Sequence, residues 1–148
     1  MRLFLEFLAF SGIALILSGC DSRSGVSMET VCGAYAPTKV VVAISTVPRP
    51  TDSTSLFLNL DGSFATSDWP AWSLVPLNGK VETSVLKSSG GTWKLLNSNQ
   101  VILQFSRSPI LPLGAVLILK IRQGSNVQLK VSLNAGNEDD FMILERRK

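Results

Sequence analysis

Beyond residue 30, the apolar residues either alternate with polar ones or form short runs, and turn-forming residues separate one run from the next. The clearest alternation is the segment 127–133, VQLKVSL, which places valine or leucine at every second position. A period of two residues is typical of a strand with one buried face, and no stretch beyond residue 30 has the period of an amphipathic helix. The pattern therefore predicts an all-β domain.

Other apolar segments between turn signals predict further strands. They are 39–46, 55–67 (a hairpin), 80–87, 91–96, 101–105, 115–122 and 141–146. Together these segments predict eight or nine short antiparallel strands in sequential hairpins, which is an up-and-down meander. The unpaired edge strands of such a sheet must be paired or covered. We expect a closed or nearly closed barrel, with a sandwich as the alternative.

The register of the first hairpin follows from burial. A two-residue loop at Asp61-Gly62 would turn Phe64 away from the face of Leu58. A three-residue loop over 60–62, with Gly62 at positive φ, instead pairs Leu58 with Phe64 and points both inward, so we predict this register. The predicted core contains the inward residues of the best-patterned strands: Leu58, Phe64, Trp93, Leu103, Leu129 and Val131.

The first twenty residues have the layout of an export signal. Positive charge at Arg2 is followed by the apolar run 7–17, FLAFSGIALIL, and then by small residues up to Cys20. An apolar run this short is typical of a signal-peptide core rather than of a bilayer-spanning helix. We predict a helical signal peptide over 1–19.

The segment 17–20, Leu-Ser-Gly-Cys, resembles the lipobox of bacterial lipoproteins. The resemblance implies cleavage before Cys20 and a lipid such as palmitate on its thiol, with several acyl chains holding the domain at a membrane. The alternatives are an ordinary cleaved signal with an incidental cysteine, or an uncleaved anchor. Residues 20–29 then form a lipidated flexible tether and 30–148 the domain. The expected location is the bacterial cell envelope, facing the periplasm or the exterior, and Asp21 favours the inner membrane by analogy with enteric lipoproteins.

Four segments, taken in order, resemble small lipocalin-like bacterial envelope proteins. They are Cys-Gly-Ala-Tyr at 32–35, Leu-Asn-Leu-Asp-Gly-Ser-Phe at 58–64, Gly-Thr-Trp-Lys-Leu at 91–95 and Val-Ile-Leu at 101–103. The resemblance covers most of 31–146 and implies a small β-barrel. The long ligand-gating loop and the C-terminal helix of large lipocalins have no counterpart here.

Composition excludes several kinds of chemistry. The chain has no histidine, so it has no Ser-His-Asp triad and no histidine-ligated zinc. A net charge of +3 is too small for a nucleic-acid interface. We expect Cys32 to be an inert, buried strand residue, 138–140 (Glu-Asp-Asp) to be a solvated turn, and 89–92 to be a turn entering a strand. No metal or cofactor is predicted, and an enzyme is the least favoured class.

Two connections are more apolar than loops usually are. They are 69–74, WPAWSL, and 109–114, PILPLG, and both should follow strands of the same direction and so share one barrel end. They either fold back and plug that end or form a contact surface, for which the candidate residues are Trp69, Trp72, Ile110 and Leu111.

The leading functional hypothesis is a lipid-anchored binding module that contacts an envelope protein or an apolar ligand. The alternative is an inhibitor or immunity-type protein that blocks a toxic envelope hydrolase. An exposed acidic or aromatic loop would favour the inhibitor, whereas an enclosed apolar cavity would favour a carrier.

Overall fold

A computed structural model describes residues 25–43, 49–76, 85–111, 114–134 and 137–148. The predicted signal peptide, Cys20 and Asp21 lie outside these ranges. The described part contains one helical turn, α1 (Met28–Val31), and a single turn of 3-10 helix at Ala71–Ser73. Its strands are β1 (Gly33–Val41), β2 (Ser55–Leu58), β3 (Ser63–Pro70), β4 (Val75–Pro76), β5 (Val85–Asn97), β6 (Gln100–Phe105), β7 (Ala115–Arg122), β8 (Gln128–Asn134) and β9 (Asn137–Arg146).

Eight of these nine strands form a closed antiparallel barrel. Each pairs with its neighbours in the order β1-β2-β3-β5-β6-β7-β8-β9, and the pairing of β9 with β1 returns the ring to its start. The two-residue strand β4 pairs with the beginning of β7 (Val75 opposite Val116), whereas β8 pairs with the end of β7 from Leu119 onward. The predicted up-and-down barrel is therefore confirmed, and the sandwich is not formed.

The β2–β3 hairpin has the predicted register. Leu58 lies opposite Phe64, and Gly62 has a φ of +84°, a conformation that favours glycine. The Asp61 carboxylate accepts hydrogen bonds from the backbone N–H of Ser63 (2.8 Å) and from its hydroxyl (2.7 Å). These bonds hold the carboxylate in its charged form and lower the pKa of Asp61.

The barrel interior is filled by apolar side chains from every one of its eight strands. All six predicted core residues are buried, and the largest fully buried side chains also include Trp69, Tyr35, Leu119, Leu133, Met142 and Leu144. The rings of Phe64 and Phe105 meet edge to face, with their centroids 4.9 Å apart. An eight-stranded barrel is just wide enough for side chains to fill it, and this barrel is built in that way.

Strand β5 is longer than predicted, and 89–92 is not a turn. Gly91 lies between Phe64 on β3 and Phe105 on β6, where a Cβ atom would come 2.0 Å from the carbonyl oxygen of Gln104. The missing side chain therefore allows a close strand approach and leaves room for the two phenylalanine rings. The glycines that suggested a turn are strand residues, and 85–87 of the predicted 80–87 strand belong to β5; residues 77–84 lie outside the described ranges.

The packed domain begins earlier than residue 30. Val26, in the predicted tether, is buried in the core, and the Ser27 hydroxyl caps α1 by accepting a hydrogen bond from the Thr30 N–H. Inside the barrel mouth the Tyr35 hydroxyl donates to the Val31 carbonyl at 2.5 Å. Cys32 is the C-cap of α1 and is half-buried, so its prediction as a buried strand residue is wrong.

Strand β9 begins at Asn137, so residues 138–140 lie in a strand and not in the predicted solvated turn. Asp139 is exposed, but Asp140 is buried and its carboxylate accepts a hydrogen bond from the Ala43 N–H at 2.7 Å. This bond ties the segment after β1 to β9. Strand β1 likewise begins at Gly33 rather than Lys39, and residues 44–48 of the predicted 39–46 strand lie outside the described ranges.

The strand directions define two ends of the barrel. At the first, which we call the N-terminal end, lie α1, the turns 59–62, 97–100 and 123–127, and residues 146–148. At the second, the loop end, lie the described parts of the β1–β2, β3–β5 and β6–β7 connections.

Candidate functional site

The two apolar connections leave the same end of the barrel, as predicted. Strands β3 and β6 are both antiparallel to β5, which lies between them, so both run toward the loop end. The first connection continues from Trp69 into the 3-10 turn and β4, and the second leaves Phe105 and returns at Ala115. The loop end is therefore the place to look for the predicted contact surface.

The first connection folds back over the barrel opening. Trp69 is fully buried (0% exposed), and its indole Nε1 donates to the Ser73 hydroxyl at 3.0 Å. That hydroxyl donates in turn to the Pro70 carbonyl at 2.8 Å, which closes a compact turn against β8. Because Leu74 is also buried and Val75 pairs with β7, this connection fills the barrel end.

The second connection contains a tight turn that separates two neighbouring side chains. The Ser108 N–H donates to the Leu111 carbonyl at 2.9 Å, and the Leu111 N–H donates back to the Ser108 carbonyl at 3.1 Å. Leu111 is only 6% exposed and belongs to the core, whereas Ile110 is 48% exposed at the tip of the turn. In this turn, the side chain of Ile110 lies in solvent and the side chain of the next residue, Leu111, packs in the core.

The four predicted contact residues differ in their exposure to solvent. Trp69 and Leu111 are buried, so the expectation that they form a contact surface is corrected: they plug the barrel end, which was the alternative explanation of the same pattern. Ile110 is exposed at the loop end. The side chain of Trp72 lies outside the described part of the structure, as does the predicted lipidation site Cys20.

A polar network holds the start of β2 at the loop end. The buried Thr54 hydroxyl donates to the Asp68 carbonyl at 3.0 Å and accepts from the Thr51 N–H at 3.0 Å. The Asp68 carboxylate forms an ion pair with exposed Lys87 at 2.9 Å. A hydrogen bond from Ser53, together with Lys87, lowers the pKa of Asp68. These contacts hold the backbone before β2 against the end of β3, so we assign them a structural role.

Sequence reasoning missed the exposed apolar residues of the N-terminal end. Phe57 lies on the outer face of β2, Leu60 in the β2–β3 turn, and Leu96 just before the β5–β6 turn. The position of Leu60 within the predicted 60–62 loop was a signal that could have identified it, because a three-residue hairpin loop projects its side chains into solvent.

The described residues contain neither a membrane-spanning helix nor a metal-binding cluster. Among the described residues, no helix has the length and apolar character that crossing a membrane requires. Within the same ranges, no group of three or more cysteine, aspartate or glutamate side chains is arranged to hold a metal ion.

No protein-family model matches this chain, and no curated protein is similar to it.

Proposed function

We propose that this protein is a lipid-anchored binding module of the bacterial cell envelope, which contacts a protein partner through the outer surface of its barrel. The observation that carries the proposal is the continuous apolar core inside the barrel. Every barrel strand contributes buried apolar side chains to one continuous core, and the first connection covers the opening at the loop end. A barrel packed in this way favours an external contact over enclosure of an apolar ligand.

The proposed anchor would join the barrel at the end opposite the exposed tip. The described chain starts next to α1 at the N-terminal end, five residues after Cys20, whereas Ile110 lies at the loop end. A lipid on Cys20 would hold the N-terminal end near the membrane and direct Ile110 away from it. The second connection presents an aliphatic side chain, Ile110, at its tip rather than an acidic or aromatic one. We therefore favour the binding module over the inhibitor.

Metabolic labelling with a fatty acid tests the anchor. We expect wild-type protein to carry the label and Cys20→Ser to lose it and accumulate as uncleaved precursor. Cys32→Ser is the matched control, because it removes the other thiol of the chain, and it should keep the label and normal processing. A Cys20→Ser protein that is still labelled and processed would contradict the anchor.

Site-specific photo-crosslinking tests the protein contact. The photo-crosslinker p-benzoylphenylalanine in place of Ile110 should form a discrete protein adduct in the intact envelope. The same group in place of Ile118, which is equally exposed but lies on the outer wall of β7, is the control. A discrete adduct at 110 and none at 118 supports the contact, and equal yields at both positions would refute it.

A further inference from the structure

Three large apolar side chains are exposed toward the N-terminal end. Phe57 is 48% exposed, Leu60 57% and Leu96 49%. They belong to neighbouring hairpins: the Trp93 N–H donates to the Gly62 carbonyl at 2.7 Å, which holds the β2–β3 turn against β5 three residues before Leu96. Apolar side chains are unfavourable in water, and their burial in an interface lowers the free energy.

Basic residues lie at the same end of the barrel. The Arg147 N–H donates to the Ala34 carbonyl at 2.8 Å, and Ala34 lies opposite Phe57, so Arg147 and Phe57 flank β1 at the same level. The described charges of this end comprise six basic residues against three acidic ones. They are Lys94, Lys120, Arg122, Arg146, Arg147 and Lys148 against Glu29, Asp61 and Glu145.

Two of the three acidic groups accept local hydrogen bonds, which leave their negative charge in place, so basic residues exceed acidic ones at this end by number alone. The Asp61 carboxylate accepts from Ser63, and Glu145 accepts from the Gln128 amide at 2.6 Å. Arg122, Arg146 and Arg147 are all exposed, and Arg122 lies opposite Gln128 at the start of β8. The charge presented by this end therefore suits a negatively charged surface.

The chain leading to the proposed anchor leaves from the same end. Val26 is buried beside α1, and the five peptide units between Cys20 and Gly25 span at most about 18 Å when fully extended. An acyl group on Cys20 would thus hold the N-terminal end close to lipid headgroups. Any other occupant of this end would have to displace the bilayer.

We infer that the N-terminal end of the barrel rests on an anionic lipid surface, with Phe57, Leu60 and Leu96 in the interface and the arginines against the headgroups. This inference rests on the proposed lipidation of Cys20 for its orientation. The surface itself has the two components of interfacial binding, buried apolar area and attraction to anionic lipid.

The test measures binding of the chain from Asp21 onward to vesicles by co-sedimentation. This chain retains the described barrel core, all of which comes from Val26 onward. We expect it to bind phosphatidylglycerol–phosphatidylcholine vesicles more tightly than pure phosphatidylcholine vesicles, and to lose that preference at high salt. Substituting Phe57, Leu60 and Leu96 by serine should weaken binding about tenfold or more.

A double variant, with Val41 and Ile118 changed to serine, is the control, because it removes exposed apolar side chains away from this end and leaves the proposed contact residue Ile110 in place. It should bind as wild type. Changing Arg122, Arg146 and Arg147 to glutamine should remove the preference for anionic vesicles. Equal losses in both serine variants, or an unchanged lipid preference in the arginine variant, would overturn the inference.

The vesicle assay uses no lipidated cysteine, so its result is separate from the labelling of Cys20. Vesicle binding together with unlabelled Cys20 would refute the anchor and support the surface. Labelled Cys20 together with equal binding of both serine variants would refute the surface and leave the anchor intact.

Discussion

The two ends of the barrel bury different shares of the apolar residues in and beside their connections. At the loop end, Trp69 at the end of β3 and Leu111 in the β6–β7 connection turn inward and become part of the core, and Ile110 is exposed. At the N-terminal end, Leu60 and Leu96 lie in or beside short hairpin turns and are both exposed, while Val31 of α1 packs into the core. Similar apolar residues in or near connecting segments are therefore buried in one place and exposed in another. The conformation of the connection determines whether they are buried.

The length of a connection determines whether its side chains can turn toward the barrel axis. A three-residue hairpin loop such as 60–62 has its ends fixed by strand pairing, so its side chains cannot turn back to the barrel axis. The connection that starts at Trp69 is longer, and its 3-10 turn folds back over β8. An exposed apolar residue in a tight turn is thus a better indication of an interface than one in a long loop.

The largest expected effect tests the burial of Trp69. Trp69→Ala should lower the free energy of unfolding by about 3–5 kcal/mol, because it leaves a cavity and removes the partner of Ser73. Leu60→Ala, at the other end, should change it by less than about 0.5 kcal/mol. Urea unfolding measures both, and similar losses in the two variants would abolish the distinction between the ends.

A smaller effect separates two neighbours in one turn. Leu111→Ala should destabilise the protein by about 2–5 kcal/mol, because the side chain is buried in the core. Ile110→Ala should have an effect within about 0.5 kcal/mol, because its side chain lies in solvent. A reversed order in thermal unfolding would mean that the turn at 108–111 presents the opposite residue.

The turn at the N-terminal end can be tested through its glycine. Gly62→Ala should cost about 1–2 kcal/mol, because φ is +84° at this position. Gly124→Ala is the control: a Cβ atom there meets nothing closer than 3.8 Å, and its φ lies outside the left-handed region. If both alanine variants unfold at the same urea concentration, the three-residue loop is wrong.

The smallest effect concerns the contact between α1 and the barrel. Burial raises the pKa of Tyr35 to about 12, above its ordinary value of 10.0. The folded state therefore favours the neutral phenol, and the stability from this group is present below pH 10 and is lost as the pH rises toward 12. Tyr35→Phe should cost about 1 kcal/mol at neutral pH and remove this loss.

Tyr35 is the single tyrosine of the chain, so ultraviolet absorbance reports its ionisation directly. A midpoint near 10 in the folded protein would show that the hydroxyl is exposed to solvent. The N-terminal end would then be open rather than closed by α1.

The sequence allowed prediction of the barrel and its core because both depend on alternation and on turn chemistry. The inward positions of Leu129 and Val131 follow from the period of two, and the pairing of Leu58 with Phe64 follows from the position of Gly62. Both are local signals, and each was confirmed.

Features that depend on long-range approach were not predicted. The glycines of 89–92 favoured a turn at the entry to a strand. The residues that pair with Gly91 in the sheet, Phe64 and Phe105, are distant in sequence, so their approach could not be predicted. The one-turn helix α1 is too short to show a period, so Val26 was assigned to a tether. The burial of Trp69 and Leu111 depends on the backbone path of each connection, which composition does not specify.

In the proposed orientation, the N-terminal end of the barrel contacts a lipid surface and the loop end faces the aqueous compartment. A comparison of Leu60→Cys with Ile110→Cys, each in a Cys32→Ser background and as lipidated protein on phosphatidylglycerol-containing vesicles, tests this orientation. The rate of reaction with a water-soluble maleimide is measured before and after detergent dissolves the vesicles. We expect the vesicles to slow labelling at 60 and to leave labelling at 110 unchanged. Equal slowing at both positions, or slowing at 110 alone, would show that the orientation is wrong.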